Sequence, residues 1–139
     1  MEITITKTPD SNDEAFLWSQ LRAHGLAQLT NPAMKEKFTF GIIAREEAEI
    51  IGGMLGEMYY QGLHISLLWV KEELRKTGLG TTLITKAEEL ARESSCTLIY
   101  LDTFSFQAPK FYEKLGFQVY GKIVDFPKDY TRYYLVKSL

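Results

Sequence analysis

Hydrophobic and polar positions follow two different periods at the start of the chain. Ile3 and Ile5 alternate with threonines, which is the period of a half-buried strand, and the turn-forming residues 9–11 follow. Over residues 12–27 the apolar positions instead recur at helical spacing, with Gly25 as a stop signal. The pattern therefore predicts a first strand followed by one helix, with a break near Gly25.

The middle of the chain shows the clearest strand and helix patterns. Residues 38–45, 49–59 and 63–70 are strand-like runs joined by short polar connections, which are typical of antiparallel hairpins. Residues 79–92 then place their leucine, isoleucine and alanine side chains on one face of a helix and most charged residues on the other.

The last third predicts a buried strand at 97–101, a short helix at 108–115, and strands at 117–122 and 132–136. The helix after the hairpins acts as a crossover, so the strands at 63–70 and 97–101 should be parallel neighbours. A mixed sheet with helices on its faces follows from this order.

Composition narrows the class of protein. The 139 residues are 45% hydrophobic and 24% charged, which fits one globular domain and excludes disorder. A net charge of −2 provides no global basic field, so we expect no nucleic-acid partner. No signal-peptide pattern or membrane-length apolar run is present, and we expect a cytoplasmic protein without a membrane partner. One cysteine cannot form an internal disulfide or supply a zinc site, so we expect no metal.

Residues 75–81 lie between the end of a predicted strand and the start of the clearest helix. The first amides of a helix lack intrahelical partners and carry partial positive charge, and Gly78 and Gly80 let an anion approach them closely. Residues 74–87 contain no acidic residue, and two basic residues stand at 75 and 76. These features predict a phosphate site. A glycine-rich helix start whose basic side chains only face solvent is the alternative.

Two motifs together resemble a known family. Arg75-x-x-Gly78-x-Gly80 follows a strand, and the segment Ala108 to Phe117, with Tyr112 inside it, comes some thirty residues later. This combination resembles the GNAT superfamily of N-acetyltransferases over about residues 3–136. The resemblance implies a single α/β domain spanning residues 1–139. Its expected fold is a mixed, mostly antiparallel sheet with helices on both faces and a splayed parallel strand pair.

The resemblance also implies acetyl-CoA as the acyl donor. The expected phosphate-binding residues, acting mainly through their main chain, are Leu74, Arg75, Lys76, Thr77, Gly78, Leu79, Gly80 and Thr81. Trp69 and Val70 would line the opening between the parallel strands with main-chain groups. Ser105 stands where many family members carry an asparagine, and its shorter side chain would contact the pantetheine arm.

Catalytic roles follow from the same resemblance. Tyr112 matches the tyrosine that protonates the leaving thiolate or contacts the cofactor sulfur, although a packed aromatic is the structural alternative. His64 occupies the position of an acidic general base in several members and could accept a proton near neutrality. A cross-strand surface histidine is its alternative. Glu57 is the second candidate base and could instead bind a substrate ammonium.

Three other reactive residues favour structural interpretations. His24 suits a helix end, and Cys96 suits a small buried position, although it could accept an acyl group. Asp102 could contact substrate or cap the loop that follows it.

The predicted activity is transfer of an acetyl group to a primary amine by direct attack. A noncatalytic CoA-binding or regulatory module of the same fold is the alternative, and a nucleotide-binding protein is a more distant one. The expected partner is a small-molecule or peptide amine. Exposed strand edges also suggest a homodimer.

Overall fold

The computed structural model describes residues 1–31 and 36–139, and the chain divides into two units at residues 1–35 and 36–139. The first unit contains one described helix, α1 (Ser11–Ala27). Asp10 caps it, because its carboxylate accepts hydrogen bonds from the amides of Asn12 at 2.8 Å and Asp13 at 3.4 Å. The predicted helix is confirmed, but α1 continues through Gly25 and the predicted break is wrong.

The predicted first strand is also wrong. Residues 1–10 contain no strand, and Ile3 and Ile5 are 81% and 97% exposed. Alternation of apolar and polar residues stabilises a strand only where a neighbouring strand supplies hydrogen bonds and a surface to pack against. Without such a partner, the amide of Thr8 bonds locally to the hydroxyl of Thr6 at 3.1 Å.

The second unit contains the sheet and two further helices. Its elements in chain order are β1 (Lys37–Glu46), β2 (Glu49–Tyr59), β3 (Gly62–Val70), α2 (Leu79–Glu93), β4 (Leu98–Phe104), α3 (Pro109–Lys114), β5 (Gln118–Val124) and β6 (Thr131–Ser138). A short 3₁₀ turn, Glu72–Leu74, lies between β3 and α2. Each predicted element of this region is confirmed, with its ends within three residues of the predicted ones.

The six strands form one sheet in the order β1-β2-β3-β4-β6-β5. Every neighbouring pair is antiparallel except β3 and β4, which are parallel. The structure therefore confirms the mixed, mostly antiparallel sheet and its parallel pair. The crossover through α2 is what makes β3 and β4 run in the same direction.

The core of this unit lies between α2 and one face of the sheet. The buried face of α2 carries Leu83, Ile84, Ala87 and Ala91, and it packs with fully buried residues of the strands. The largest of these are Met54 on β2, Leu63 on β3, Ile99 on β4 and Leu135 on β6. Each such side chain contributes roughly 1.5–3 kcal/mol to stability through burial. This packing fixes the start of α2 beside the end of β3.

The parallel pair separates soon after it forms. β3 and β4 pair only through Gly62 with Leu98, Leu63 with Ile99, and His64 with Tyr100. Where this pairing stops, the register between β2 and β3 shifts, and Ser66 is the extra residue of a β-bulge. Residues 65–70 of β3 and 101–104 of β4 consequently border an opening in the sheet.

Candidate active site

The segment between β3 and α2 is held by hydrogen bonds to main-chain carbonyls of β2, of β3 and of the segment itself. The amide of Lys71 donates to the carbonyl of Ile51 at 2.9 Å, which ties the segment to β2. Arg75 donates through Nε to the carbonyl of Val70 at 3.2 Å, and the hydroxyl of Thr77 donates to the carbonyl of Leu74 at 2.5 Å. Arg75 therefore fastens the loop to the end of β3 with part of its guanidinium group.

The helix α2 begins in the way that an anion site requires. Gly78 precedes it with a φ of 95°, a left-handed conformation that side chains rarely adopt, and no side chain caps the helix. The amides of Leu79, Gly80 and Thr81 have no carbonyl partner within the helix, and the first turn contains no acidic residue. Partial positive charge at this end therefore remains available to a phosphate.

Gly80 is needed for a different reason. A Cβ atom at this position would lie 3.1 Å from Cζ of Phe111, on α3. The absence of a side chain therefore lets the two helices that carry the sequence motifs approach each other closely. The first motif and the second motif meet through this contact.

A cavity of about 980 Å³ extends from the opening in the sheet to the start of α2. The strand segment 65–70 lines one side of it, and Leu101, Asp102 and Thr103 of β4 line the other. The amide-rich start of α2 and the second motif complete its wall. Its remaining lining residues are Arg75, Lys76, Gly78, Gly80, Thr81, Phe106, Gln107, Ala108, Phe111 and Tyr112.

Most of the residues predicted to bind the cofactor line this cavity. They are Trp69, Val70, Arg75, Lys76, Gly78, Gly80, Thr81 and Tyr112. Leu74, Thr77 and Leu79 lie against a smaller recess of about 520 Å³, which Arg45 and Gly78 also line. Gly78 lines both spaces, so the loop lies between the larger cavity and this smaller recess.

Ser105 is outside the cavity lining and is engaged elsewhere. Its hydroxyl accepts a hydrogen bond from the amide of Thr131 at 3.0 Å, and its own amide donates to the carbonyl of Thr131 at 2.8 Å. These two bonds join the end of β4 to the start of β6. The polar side chain that lines the cavity near this point is Gln107, two residues further along.

Gln107 lines the cavity, and the sequence analysis missed it. Its Oε1 accepts hydrogen bonds from the hydroxyl of Thr103 at 3.0 Å and the amide of Phe104 at 2.9 Å. These bonds fix the amide group and leave its NH₂ without a partner among the described residues. An amide side chain five residues before Tyr112 is the sequence signal that could have identified it.

Tyr112 is buried at the base of the second motif and lines the cavity. Its ring packs edge-on against Phe111 at 5.1 Å and Phe117 at 5.7 Å between centroids. Burial raises the pKa of its hydroxyl to about 12, because the phenolate would lose hydration there. The hydroxyl has no hydrogen-bond partner in the described part of the chain. It is therefore a protonated donor that a ligand in the cavity can use.

His64 and Glu57 are cross-strand neighbours on β3 and β2, beside the opening but outside the residues that line the cavity. The ring of His64 packs against Tyr100, with 4.7 Å between centroids. Glu57 forms an ion pair with Lys37 at 3.1 Å. The structure thus brings the two candidate bases together, one strand position from Ile65, the nearest cavity residue on β3.

Two reactive residues fall where their structural interpretations place them. His24 lies in the last turn of α1, and Cys96 is buried. Burial raises the pKa of the Cys96 thiol, which makes it a poorer nucleophile. Within residues 1–31 and 36–139, no cluster of side chains could hold a metal ion, and no helix is long and apolar enough to cross a membrane.

Comparisons with known proteins agree with this arrangement. The model of the Acetyltransferase (GNAT) family matches residues 6–117. The chain is 42% identical to a blasticidin-S acetyltransferase from Streptomyces morookaense over 95 residues, which are 68% of this chain and 70% of the relative. A crystal structure of an acetyltransferase from Bacillus cereus is 33% identical, with a TM-score of 0.89 and 98% of both chains covered.

A third comparison concerns the donor. A crystal structure of a candidate streptothricin acetyltransferase from Bacillus anthracis, in complex with acetyl coenzyme A, is 26% identical with a TM-score of 0.66. The match covers 73% of this chain and 63% of that structure. The family model and these relatives show that the protein is an acyltransferase. It belongs to the GNAT family of acetyltransferases, and acetyl-CoA is its acyl donor.

Proposed function

We propose that this acetyltransferase transfers the acetyl group of acetyl-CoA to a primary amine by direct attack on the thioester. The observation that carries the proposal is that the open strand edge, the free amides of α2 and the Tyr112 hydroxyl all border one cavity. In this reaction a nitrogen–carbon bond forms, the carbon–sulfur bond breaks, and the thiolate leaves. No covalent enzyme intermediate is needed.

The chain contributes binding groups along the whole cavity. The amides at the start of α2, together with Lys76, bind the donor phosphates, whose negative charge the helix end and the ammonium group favour. Main-chain groups of Trp69 and Val70 pair with the amide-containing arm of the donor much as an added strand would. The free NH₂ of Gln107 donates to a carbonyl of the same arm.

Tyr112 acts as the general acid. With a pKa of about 12 its hydroxyl is protonated throughout the neutral range, so it donates a proton to the leaving thiolate as the carbon–sulfur bond breaks. The Ala108 to Phe117 segment positions it, because the ring packs against Phe111 and Phe117. Its phenolate is reprotonated from solvent after the product leaves.

His64 or Glu57 receives the proton that the amine must lose. Both lie outside the lining residues, so the proton reaches either one through water. Glu57 forms an ion pair with Lys37, whereas His64 makes no ion pair in the described structure. His64→Gln and Glu57→Gln separate the two, because only loss of the base removes the acidic limb of the kcat/KM profile.

Three broader features belong to the same proposal. Residues 1–139 form one acyltransferase domain, which the family match to residues 6–117 supports, because it spans both structural units. The protein acts in the cytoplasm, where acetyl-CoA is available. It also forms a homodimer through a sheet edge, because β1 and β5 end the sheet and β5 exposes Val119, Ile123 and Val124. Light scattering on the purified protein tests the dimer.

The first experiment is isothermal titration with acetyl-CoA, with ATP and NADH as controls, followed by a panel of primary amines. We expect selective binding of acetyl-CoA and transfer to some of the amines. Tyr112→Phe should leave acetyl-CoA binding within about twofold and lower kcat roughly 10²–10⁴-fold, the usual contribution of a general acid. A protein that binds acetyl-CoA but acetylates no amine would support a noncatalytic module instead. If ATP displaced acetyl-CoA at comparable concentrations, the assignment of this cavity to acetyl-CoA would be wrong.

A further inference from the structure

Asp102 and Arg132 meet across neighbouring strands at the edge of the cavity. Arg132 on β6 donates through Nε at 2.8 Å and through Nη2 at 2.7 Å to the same oxygen, Oδ2, of Asp102 on β4. The other carboxylate oxygen, Oδ1, has no hydrogen-bond partner among the described residues. Half of this carboxylate is thus anchored and half is available.

Three aromatic rings hold the arginine in place. Its guanidinium carbon lies 5.4 Å from the ring centroid of Phe104, 5.5 Å from Phe126 and 5.4 Å from Tyr134. A planar cation among three rings has little freedom to turn, so it fixes the plane of the carboxylate it binds. An ordinary surface ion pair does not need three aromatic rings around its arginine.

Asp102 belongs to the cavity wall as well as to this ion pair. Asp102 lines the cavity just after the point where β3 and β4 stop pairing, across the opening from the β-bulge at Ser66. Phe106 lines the same cavity and is 56% exposed. Its ring stacks on Phe104 with 5.2 Å between centroids and 4° between planes, and it lies nearly perpendicular to the ring of Tyr130 at 5.0 Å.

We propose that Asp102 is the acceptor-binding carboxylate of this enzyme, that Arg132 is its positioning residue, and that Phe106 receives the body of the acceptor. The acceptor class is an amine carried on a flat, unsaturated ring. This inference rests on the proposed acetyl transfer and names the substrate class for it. Oδ1 accepts a hydrogen bond from the amine, and an exposed aromatic ring stacks best on a flat group.

The ion pair also suits an amine that must react. A lone carboxylate stabilises an ammonium ion and so opposes loss of the proton that attack requires. Here Arg132 neutralises Asp102, so the pair orients the amine by hydrogen bonding without holding it strongly in its charged form. The general base of the proposed reaction accepts the proton that the amine loses.

Two probes of equal charge and similar size test the acceptor class. Phenethylamine carries a flat ring, and 2-cyclohexylethylamine carries a saturated one. We expect the wild type to prefer phenethylamine at least fivefold in kcat/KM. Phe106→Leu should remove this preference while leaving the Kd for acetyl-CoA within about twofold. An unchanged preference in Phe106→Leu, or none in the wild type, would overturn the ring assignment.

The carboxylate is tested with Asp102→Asn, which keeps the shape of the side chain, and with Glu113→Gln as a matched control on the exposed surface of α3. Asp102→Asn should raise the KM for phenethylamine at least tenfold, with unchanged binding of acetyl-CoA, and Glu113→Gln should change neither. Arg132→Lys, which keeps the charge but loses the planar contact, should raise the KM with a smaller effect on kcat. A wild-type KM in Asp102→Asn would overturn the proposal.

A binding measurement separates this inference from the proposed function. Ligand-detected NMR follows phenethylamine binding to the wild type and to Asp102→Asn with coenzyme A present, and it needs no turnover. If phenethylamine binds only when Asp102 is present but is not acetylated, the transfer reaction fails and the acceptor site stands. Binding that ignores Asp102, or no binding to the wild type, refutes the site whatever the activity.

Discussion

The buried hydroxyl of Tyr112 should make this protein less stable at alkaline pH. Burial raises its pKa in the folded protein to about 12, whereas an unfolded tyrosine ionises near 10. Because the folded value is the higher one, the full stability is present below about pH 10 and declines as the pH rises towards 12. Two pH units at about 1.4 kcal/mol each correspond to about 3 kcal/mol, of which about 1 kcal/mol is lost by pH 11.

Urea unfolding followed by circular dichroism between pH 8 and pH 11 measures this loss, with Tyr112→Phe as the comparison. Other groups that ionise in this range do so in both proteins, so their effects cancel in the difference between the two free energies of unfolding. We expect the free energy of unfolding of the wild type, relative to that of Tyr112→Phe, to fall by about 1 kcal/mol from pH 8 to pH 11.

The control is Tyr60→Phe, at a tyrosine that is 51% exposed. Its difference from the wild type should stay the same across the pH range. A Tyr112→Phe difference that does not change with pH would refute the reasoning, because it would mean that the hydroxyl is as well solvated in the folded protein as in the unfolded chain.

Three further predictions test the site and the core. Gly78→Ala should lower the free energy of unfolding by about 1 kcal/mol in thermal unfolding and weaken acetyl-CoA binding. Nothing lies within 4 Å of the new Cβ, but the φ of 95° at this position disfavours any side chain. Unchanged stability would show that the loop relaxes freely. Gln107→Ala should raise the Kd for acetyl-CoA about three- to tenfold by titration, whereas Gln107→Glu, which keeps Oε1 but removes the NH₂ donor, should weaken it at least as much. If Gln107→Glu binds normally, the donor role is wrong. Leu135→Ala should cost about 2–5 kcal/mol in urea unfolding because Leu135 is fully buried, while Leu67→Ala, at a 48% exposed position, should cost much less.

The local elements of the second unit could be predicted from the sequence because their signals are local. The period of the apolar residues in α2 matches one helix face, and Leu83, Ile84, Ala87 and Ala91 are the residues that this face buries. The short connections between β1, β2 and β3 left few alternatives to hairpins. The crossover through α2 then required β3 and β4 to be parallel.

The motif Arg75-x-x-Gly78-x-Gly80 likewise predicted an anion site, because a helix start with glycines and without acidic residues leaves its first amides open to an anion. The sequence could not show why each glycine of the motif is required. Gly78 is required by its backbone conformation, whereas Gly80 is required by the contact with Phe111, some thirty residues away in the chain. Ser105 and Gln107 differ by two positions in the sequence, yet only Gln107 lines the cavity.

The sequence by itself thus determined the second unit's helices and strands, its parallel pair and a helix start with glycines and no acidic residue. Only the tertiary structure decided that residues 1–10 form no strand, because alternation cannot reveal whether a partner strand is present. It also decided which residues share the cavity: Asp102 and Arg132 come together because β4 and β6 are paired, and Tyr112 is buried because Phe111 and Phe117 pack around it. Contacts between distant segments depend on how the whole sheet pairs and where it opens, and no local pattern encodes that.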